Sequence, residues 1–98
     1  MHARVSYIDA QPDKLDDVIG QVESDVVPTL KDQDGFKGFT VLADRESGRM
    51  IGISFWESED ALSASDEVAD RTRGEAAETA GSPEPRVERY QVAVDVMD

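Results

Sequence analysis

The spacing of apolar residues changes several times along the chain, and each change marks an element. Ala3 to Asp9 alternates in part and carries Val5, Tyr7 and Ile8, side chains suited to a pleated strand. Gln11-Pro12-Asp13 interrupts it. Pro12 fits a first helical turn, where a missing N–H costs nothing, and Asp13, Asp16 and Asp17 complement the positive end of the helix dipole. Leu15, Val18, Ile19, Val22, Val26 and Leu30 then recur at three- and four-residue steps, with Asp17, Glu23 and Lys31 directed elsewhere. Pro28 falls inside this stripe, where it removes a hydrogen bond and crowds the carbonyl one turn back. A kink near Asp25, or a short separate last turn, is predicted. Asp34-Gly35 closes the helix, with glycine as its left-handed cap.

Phe36 to Asp44 reads as a strand, Arg45-Glu46-Ser47-Gly48-Arg49 as a turn, and Met50 to Trp56 as the returning strand. A two-residue turn centred on Ser47-Gly48 would set Leu42 across from Ile53, and a glycine-bulge turn would shift the pairing by one. A slip of one residue exchanges the two faces, so the sides of this hairpin stay open. Ser58 caps a second helix with Glu59 and Asp60 in its first turn. Its inner stripe is Ala61, Leu62, Ser65, Val68, Ala69, Thr72, Ala76 and Ala80, small side chains that let the helix lie close to what it covers. Gly74 weakens it by about 1 kcal/mol relative to alanine. Gly81-Ser82-Pro83-Glu84-Pro85 ends it. A last strand runs from Arg86 to Val96, with Tyr90, Val92, Val94 and Val96 on one side and Arg89, Gln91 and Asp95 on the other.

The order β-α-β-β-α-β predicts an α+β, ferredoxin-like domain over residues 1–98: an antiparallel four-stranded sheet with two helices on one face. The second sheet face is partly apolar in either register. Covering it with a second copy of the chain predicts a homodimer.

Composition narrows the function classes. There are 98 residues, no cysteines, and 10 Lys+Arg against 22 Asp+Glu, for a formal net charge of −12. A surface of that sign repels phosphate backbones and anionic lipid, so nucleic-acid and membrane partners are not expected. No basic segment followed by an apolar run opens the sequence and no apolar stretch approaches membrane-span length, which predicts a cytoplasmic protein. Salt adaptation and a GC-rich genome would each account for the acidity. With no cysteine, no clustered histidines and no phosphate-binding glycine loop around Gly48 or Gly52, no cofactor is expected.

Three strings then carry a resemblance. Gly35-Phe36-Lys37-Gly38-Phe39 after the first helix, Ser54-Phe55-Trp56-Glu57-Ser58 at the third strand's end, and Asp60-Ala61-Leu62 opening the second helix resemble the antibiotic biosynthesis monooxygenase-like family. The resemblance implies a dimeric α/β barrel. It also implies a group containing cofactor-independent oxygenases of phenols and quinols, haem-degrading oxygenases, and members without evident activity. Many active relatives carry a histidine in the second helix about where Ser65 stands, and haem-degrading ones also need an asparagine. Here His2 is the one histidine and there is no asparagine.

The candidate substrate-binding residues are Tyr7, Trp56 and Tyr90. Trp56 either packs against a flat aromatic ligand, its indole N–H donating to an oxygen, or simply fills the helix–sheet junction, the reading that its area favours. Tyr7 and Tyr90 are donors or bases only if a pocket perturbs them, and strand propensity alone accounts for both. His2, beside Met1, is expected to be frayed and exposed. Arg4 and Arg89 lie within strands, where they either bind a carboxylate or phenolate, or pair with the many acids. Glu59, Asp66 and Asp70 are expected on a solvated helix face. Two classes of function follow: a monooxygenase-like enzyme of a small aromatic phenol or quinol, or a non-catalytic dimeric domain that binds a small molecule.

Overall fold

The computed structural model describes residues 1–97, so Asp98, the last position of the expected domain, lies outside the described residues. The strands are β1 (His2–Asp9), β2 (Phe36–Ala43), β3 (Arg49–Trp56) and β4 (Arg86–Gln91). They form one antiparallel sheet in the order β2-β3-β1-β4. The helices are α1 (Leu15–Gln21), α2 (Val27–Lys31), α3 (Glu59–Ala64) and α4 (Asp66–Ala80). This is the predicted ferredoxin-like α+β arrangement, with β1 in the interior of the sheet.

Pro28 shapes the first helical layer. It has no N–H to give Ser24, and the chain responds by widening the turn before it: Val22–Val26 is a π turn in which the Val27 N–H reaches back to the Val22 carbonyl. Thr29 Oγ1 donates to the Asp25 carbonyl at 2.7 Å. The predicted disturbance near Asp25 is thus a widened turn, and it keeps Leu15, Val18, Val22, Val26 and Leu30 all buried. The helix stops at Lys31, earlier than the Asp34-Gly35 stop expected. Gly35, at φ +81°, lies in the following turn, where an added Cβ would stand 2.5 Å from the Ala61 Cβ. Its role is close passage beside α3.

The hairpin register differs from the two considered. Leu42 faces Ile51 and Ala43 faces Met50. Asp44 and Arg49 close a four-residue connection, the Asp44 N–H donating to the Arg49 carbonyl and the Gly48 N–H to that of Asp44. Side chains select it: Asp44 Oδ1 accepts from the Glu46 N–H at 3.0 Å, and Ser47 Oγ from the Arg49 N–H at 3.1 Å. Gly48 has φ +82°, and its carbonyl accepts from the Ala10 N–H at 2.9 Å.

Ser58 caps α3 as predicted, its Oγ accepting from the Ala61 N–H at 3.1 Å. The second helix is broken at Ser65, where φ is −89° and ψ −2°. The Leu62 carbonyl is diverted there by the Ser65 hydroxyl at 2.7 Å and by Arg4 Nη2 at 2.8 Å. The last strand is shorter than Arg86 to Val96. It pairs with β1 as far as Gln91 opposite His2, and the Val92 N–H takes the Met1 carbonyl at 2.8 Å. Past Val92 no strand pairing continues among the described residues, and Val94 and Val96 are exposed.

Strand alternation now has definite sides. Arg4, Ser6 and Ile8 of β1 and Met50, Gly52, Ser54 and Trp56 of β3 face the helices. Val5 opposite Ile53, Tyr7 opposite Ile51, and Ala3 opposite Phe55 face away. The core joins Leu15, Val18, Leu30, Met50, Trp56 and Leu62 under the helices.

Two glycine substitutions should move stability in opposite directions. A Cβ at Gly48 would stand 2.0 Å from the Ala10 carbonyl oxygen at a positive φ, so Gly48→Ala should cost more than about 1–2 kcal/mol. Gly74 meets nothing within 4 Å, so Gly74→Ala should stabilise by about 0.5–1 kcal/mol. Urea denaturation of both variants measures this.

Candidate functional site

Two layers of small side chains leave a cleft between the sheet and α4. Ser6 and Gly52 are directly paired on the helix-facing side, with Ser54 next along β3. Across from them α4 presents Ala69, Thr72 and Ala76. The expected close approach of this helix holds at Ala80, within the core, whereas at the cleft the same small residues leave space. Val22, Val26, Leu30, Phe39, Val41 and Met50 supply apolar walls. The cavity volume of this cleft is about 50 Å³. That is well below the roughly 300–1,000 Å³ of a site for a whole drug-sized ligand, so the cleft as it stands is a recess for part of one. Val22, Phe39 and Val41 also border a roomier groove beside β2, of about 390 Å³, so the two spaces share a wall.

The cleft contains a buried charge. Arg4 is 4% exposed. Its Nη2 donates to the Leu62 carbonyl, to Ser65 Oγ at 3.1 Å and to Asp66 Oδ1 at 2.5 Å. Its Nη1 is buried and has no hydrogen-bond partner among the described residues. Burial holds the guanidinium below the ordinary arginine pKa; Asp66 counteracts this, and neighbouring Arg73 and Arg89 add to the lowering. Arg4 and Arg89 stand directly opposite one another on β1 and β4, a like-charge pair that Asp66 bridges, reaching Arg89 Nη2 at 2.7 Å. Asp66 keeps 46% of its side chain exposed, on the solvated face expected for it, while its carboxylate reaches both guanidiniums. Arg73 also borders the cleft and pairs with Asp70.

The three residues singled out from sequence are not brought together. Trp56 is fully buried in the core under the helices, edge-on to Phe36 with ring centroids 5.6 Å apart. Its Nε1–H donates to Ser54 Oγ at 2.9 Å, and Arg4 Cζ stands 5.9 Å from its ring centroid. Trp56 thus backs the cleft through Ser54 and Arg4 without lining it. Tyr7 and Tyr90 stand on the other sheet face. Tyr7 carries the Arg86 guanidinium 4.1 Å from its ring centroid and borders a separate open depression with Asp9, Arg49 and Ile51. Tyr90 is exposed, and the Glu88 carboxylate pushes its phenol pKa up. His2 is half-buried as the first residue of β1, opposite Trp56 and Gln91, and not frayed as expected.

The sequence matches the antibiotic biosynthesis monooxygenase family over residues 1–81, and the chain belongs to it. It is 39% identical over 93 residues to the uncharacterized protein Rv2557 of Mycobacterium tuberculosis, covering 95% of this chain and 41% of that protein. The chain thus spans about two fifths of the length of the curated relatives that it matches. Among solved structures, the monooxygenase from the gene ActVA-Orf6 of Streptomyces coelicolor, in complex with nanaomycin D, is similar with a TM-score of 0.77 and 16% identity, covering 99% of this chain and 91% of that one. The haem-degrader MhuD of Mycobacterium tuberculosis has a TM-score of 0.73 and 17% identity, covering 99% and 100%. At these identities the likeness is one of fold.

Removing the Ser54 hydroxyl should leave the Trp56 indole N–H buried without an acceptor. Ser54→Ala should cost about 1–3 kcal/mol. Denaturation followed by Trp56 fluorescence measures the loss, and a variant as stable as the parent would mean that the bond contributes nothing.

Proposed function

We propose that this chain is a monooxygenase-like protein whose cleft receives a small aromatic phenol or quinol and promotes its oxidation by dioxygen without a cofactor. The observation supporting this is an apolar cleft with one polar recess, between the layers of a monooxygenase-family fold. In such a reaction the substrate supplies the electrons. A phenol and one dioxygen give a quinone and one water, one oxygen atom entering the ring carbon and the other leaving as water. The chain would exclude water, hold the ring flat between the sheet and α4, and fix its oxygen in the recess. The residues bordering the cleft include no histidine, so they do not fit an axial ligand to haem iron.

A second reading has its own observation. The ionisable residues bordering the cleft are Arg4 and Arg73, neither of which is a base, and this favours a domain that binds the same kind of molecule without turning it over. Oxygen-electrode measurements on a panel of phenols and hydroquinones in metal-free buffer separate the two. Uptake above a protein-free control supports oxidation. A ligand-induced change in Trp56 fluorescence without uptake supports binding alone, and neither signal would overturn both readings.

The homodimer belongs to the same proposal. Val5, Tyr7, Ile51, Ile53 and Phe55 form an apolar band on the sheet face away from the helices, and a second copy laid against it would bury them. The net charge of −12 opposes association and is screened by salt, so the dimer should tighten as ionic strength rises. Sedimentation should give a dimer at micromolar concentration in moderate salt, and Ile53→Asp should shift it to monomer. A parent chain that sediments as a monomer would end the proposal.

A further inference from the structure

From the unpaired arm of Arg4 we infer that the cleft selects an acidic ligand: a planar apolar body ending in a carboxylate or phenolate oxygen, bound at Arg4 Nη1. This rests on the reading of the cleft as a ligand site and adds the charge of what enters it.

Arg4 Nη1 is a buried donor group of a charged side chain, and the described residues give it no acceptor. Buried guanidiniums are tolerated when each arm is matched, because an unmatched one loses its hydration and gains nothing in return. The second arm, Nη2, is fully engaged with the Leu62 carbonyl, Ser65 and Asp66. The fork is therefore anchored on one side and unpaired on the other, and Arg4 borders the cleft. A carboxylate or phenolate oxygen is the acceptor that a guanidinium holds best.

Local charge agrees. Arg4, Arg73 and Arg89 are grouped around Asp66 and Asp70, three cations sharing two carboxylates. A chain with a net charge of −12 thus keeps a local positive excess around the buried Arg4, the other members of the group being partly exposed. An anion entering there neutralises that excess, whereas a neutral ligand leaves it. Ser54 lies beside the recess, and with its oxygen accepting from Trp56 it retains a hydroxyl proton to donate. The cleft, about 50 Å³, takes the charged head, and the ring lies against the apolar side chains that border it.

The test compares benzoate with benzamide, which has nearly the same shape and no charge. Binding is followed by Trp56 fluorescence and by the shift in melting temperature. The parent chain should bind benzoate at least about ten-fold more tightly than benzamide. Para-nitrophenolate should compete with benzoate, and inorganic phosphate, which lacks the apolar body, should not. Arg4→Lys keeps a cation for Asp66 but deletes the second arm of the fork, so the folded variant should lose the preference. A folded Arg4→Lys with the parent's preference would overturn the inference; should the variant not fold, the comparison in the parent chain decides. Equal binding of benzoate and benzamide would overturn it while leaving an aromatic cleft in place. Displacement of benzoate by phosphate as effectively as by para-nitrophenolate would overturn the stated ligand class. Binding of neither aromatic would overturn both this inference and the cleft reading.

Discussion

Arg4 is a charge placed inside an apolar layer, and the parts around it are arranged to make that tolerable. Its contact with the Leu62 carbonyl coincides with the break between α3 and α4 at Ser65. The break brings Asp66 to the start of α4, where its carboxylate reaches Arg4 and Arg89 together. Without that bridge, β1 and β4 would set two guanidiniums face to face across the edge of the sheet. One side chain thus joins an interior strand, an edge strand and the junction of two helices. Ser65, where the family resemblance implies a histidine, gives its hydroxyl to this arrangement.

The cleft and the core draw on the same interior. Ser6, Gly52 and Ser54 leave space in the layer where Leu15, Val18 and Leu62 elsewhere pack tightly. Atoms bordering a gap forgo dispersion contacts that a filled interior would supply. In a domain of 98 residues that loss is felt, since short chains bury a smaller fraction of their surface. The outer sheet face is where this fold has stabilisation left to gain.

Much of the fold was legible because local chemistry states it. Ser58 followed by two acids names a helix start, and Pro28 inside an apolar stripe names a disturbance. What escaped depends on partners far along the chain. Arg4 and Asp66 are 62 residues apart, and nothing local to either announces the other. The hairpin register turned on Asp44 and Ser47 capturing backbone N–H groups, which composition alone does not rank against a two-residue turn. With the register open, Ser6, Gly52 and Ser54 had no assigned side, so their shared smallness across from Ala69 and Thr72 went unseen. The bond from Trp56 to Ser54 was within reach: residues two apart on a strand share a face, and a buried indole N–H seeks an acceptor.

The π turn at Val22–Val26 has a bearing on how this wall of the cleft can vary among relatives. Such a turn holds one residue more than the α-helical spiral needs, so it behaves as a single-residue insertion accommodated in place. Removing one residue there, with Pro28 replaced as well, would return the helix to its ordinary pitch. Everything downstream, Leu30 included, would then keep its phase, whereas the same removal from α1 would rotate the remainder by about 100°. Length variation is therefore absorbed here, at Val22 and Val26, two of the side chains bordering the cleft. Loss of a codon there, with Pro28 changed, would reshape the site while the sheet beneath it stays in register.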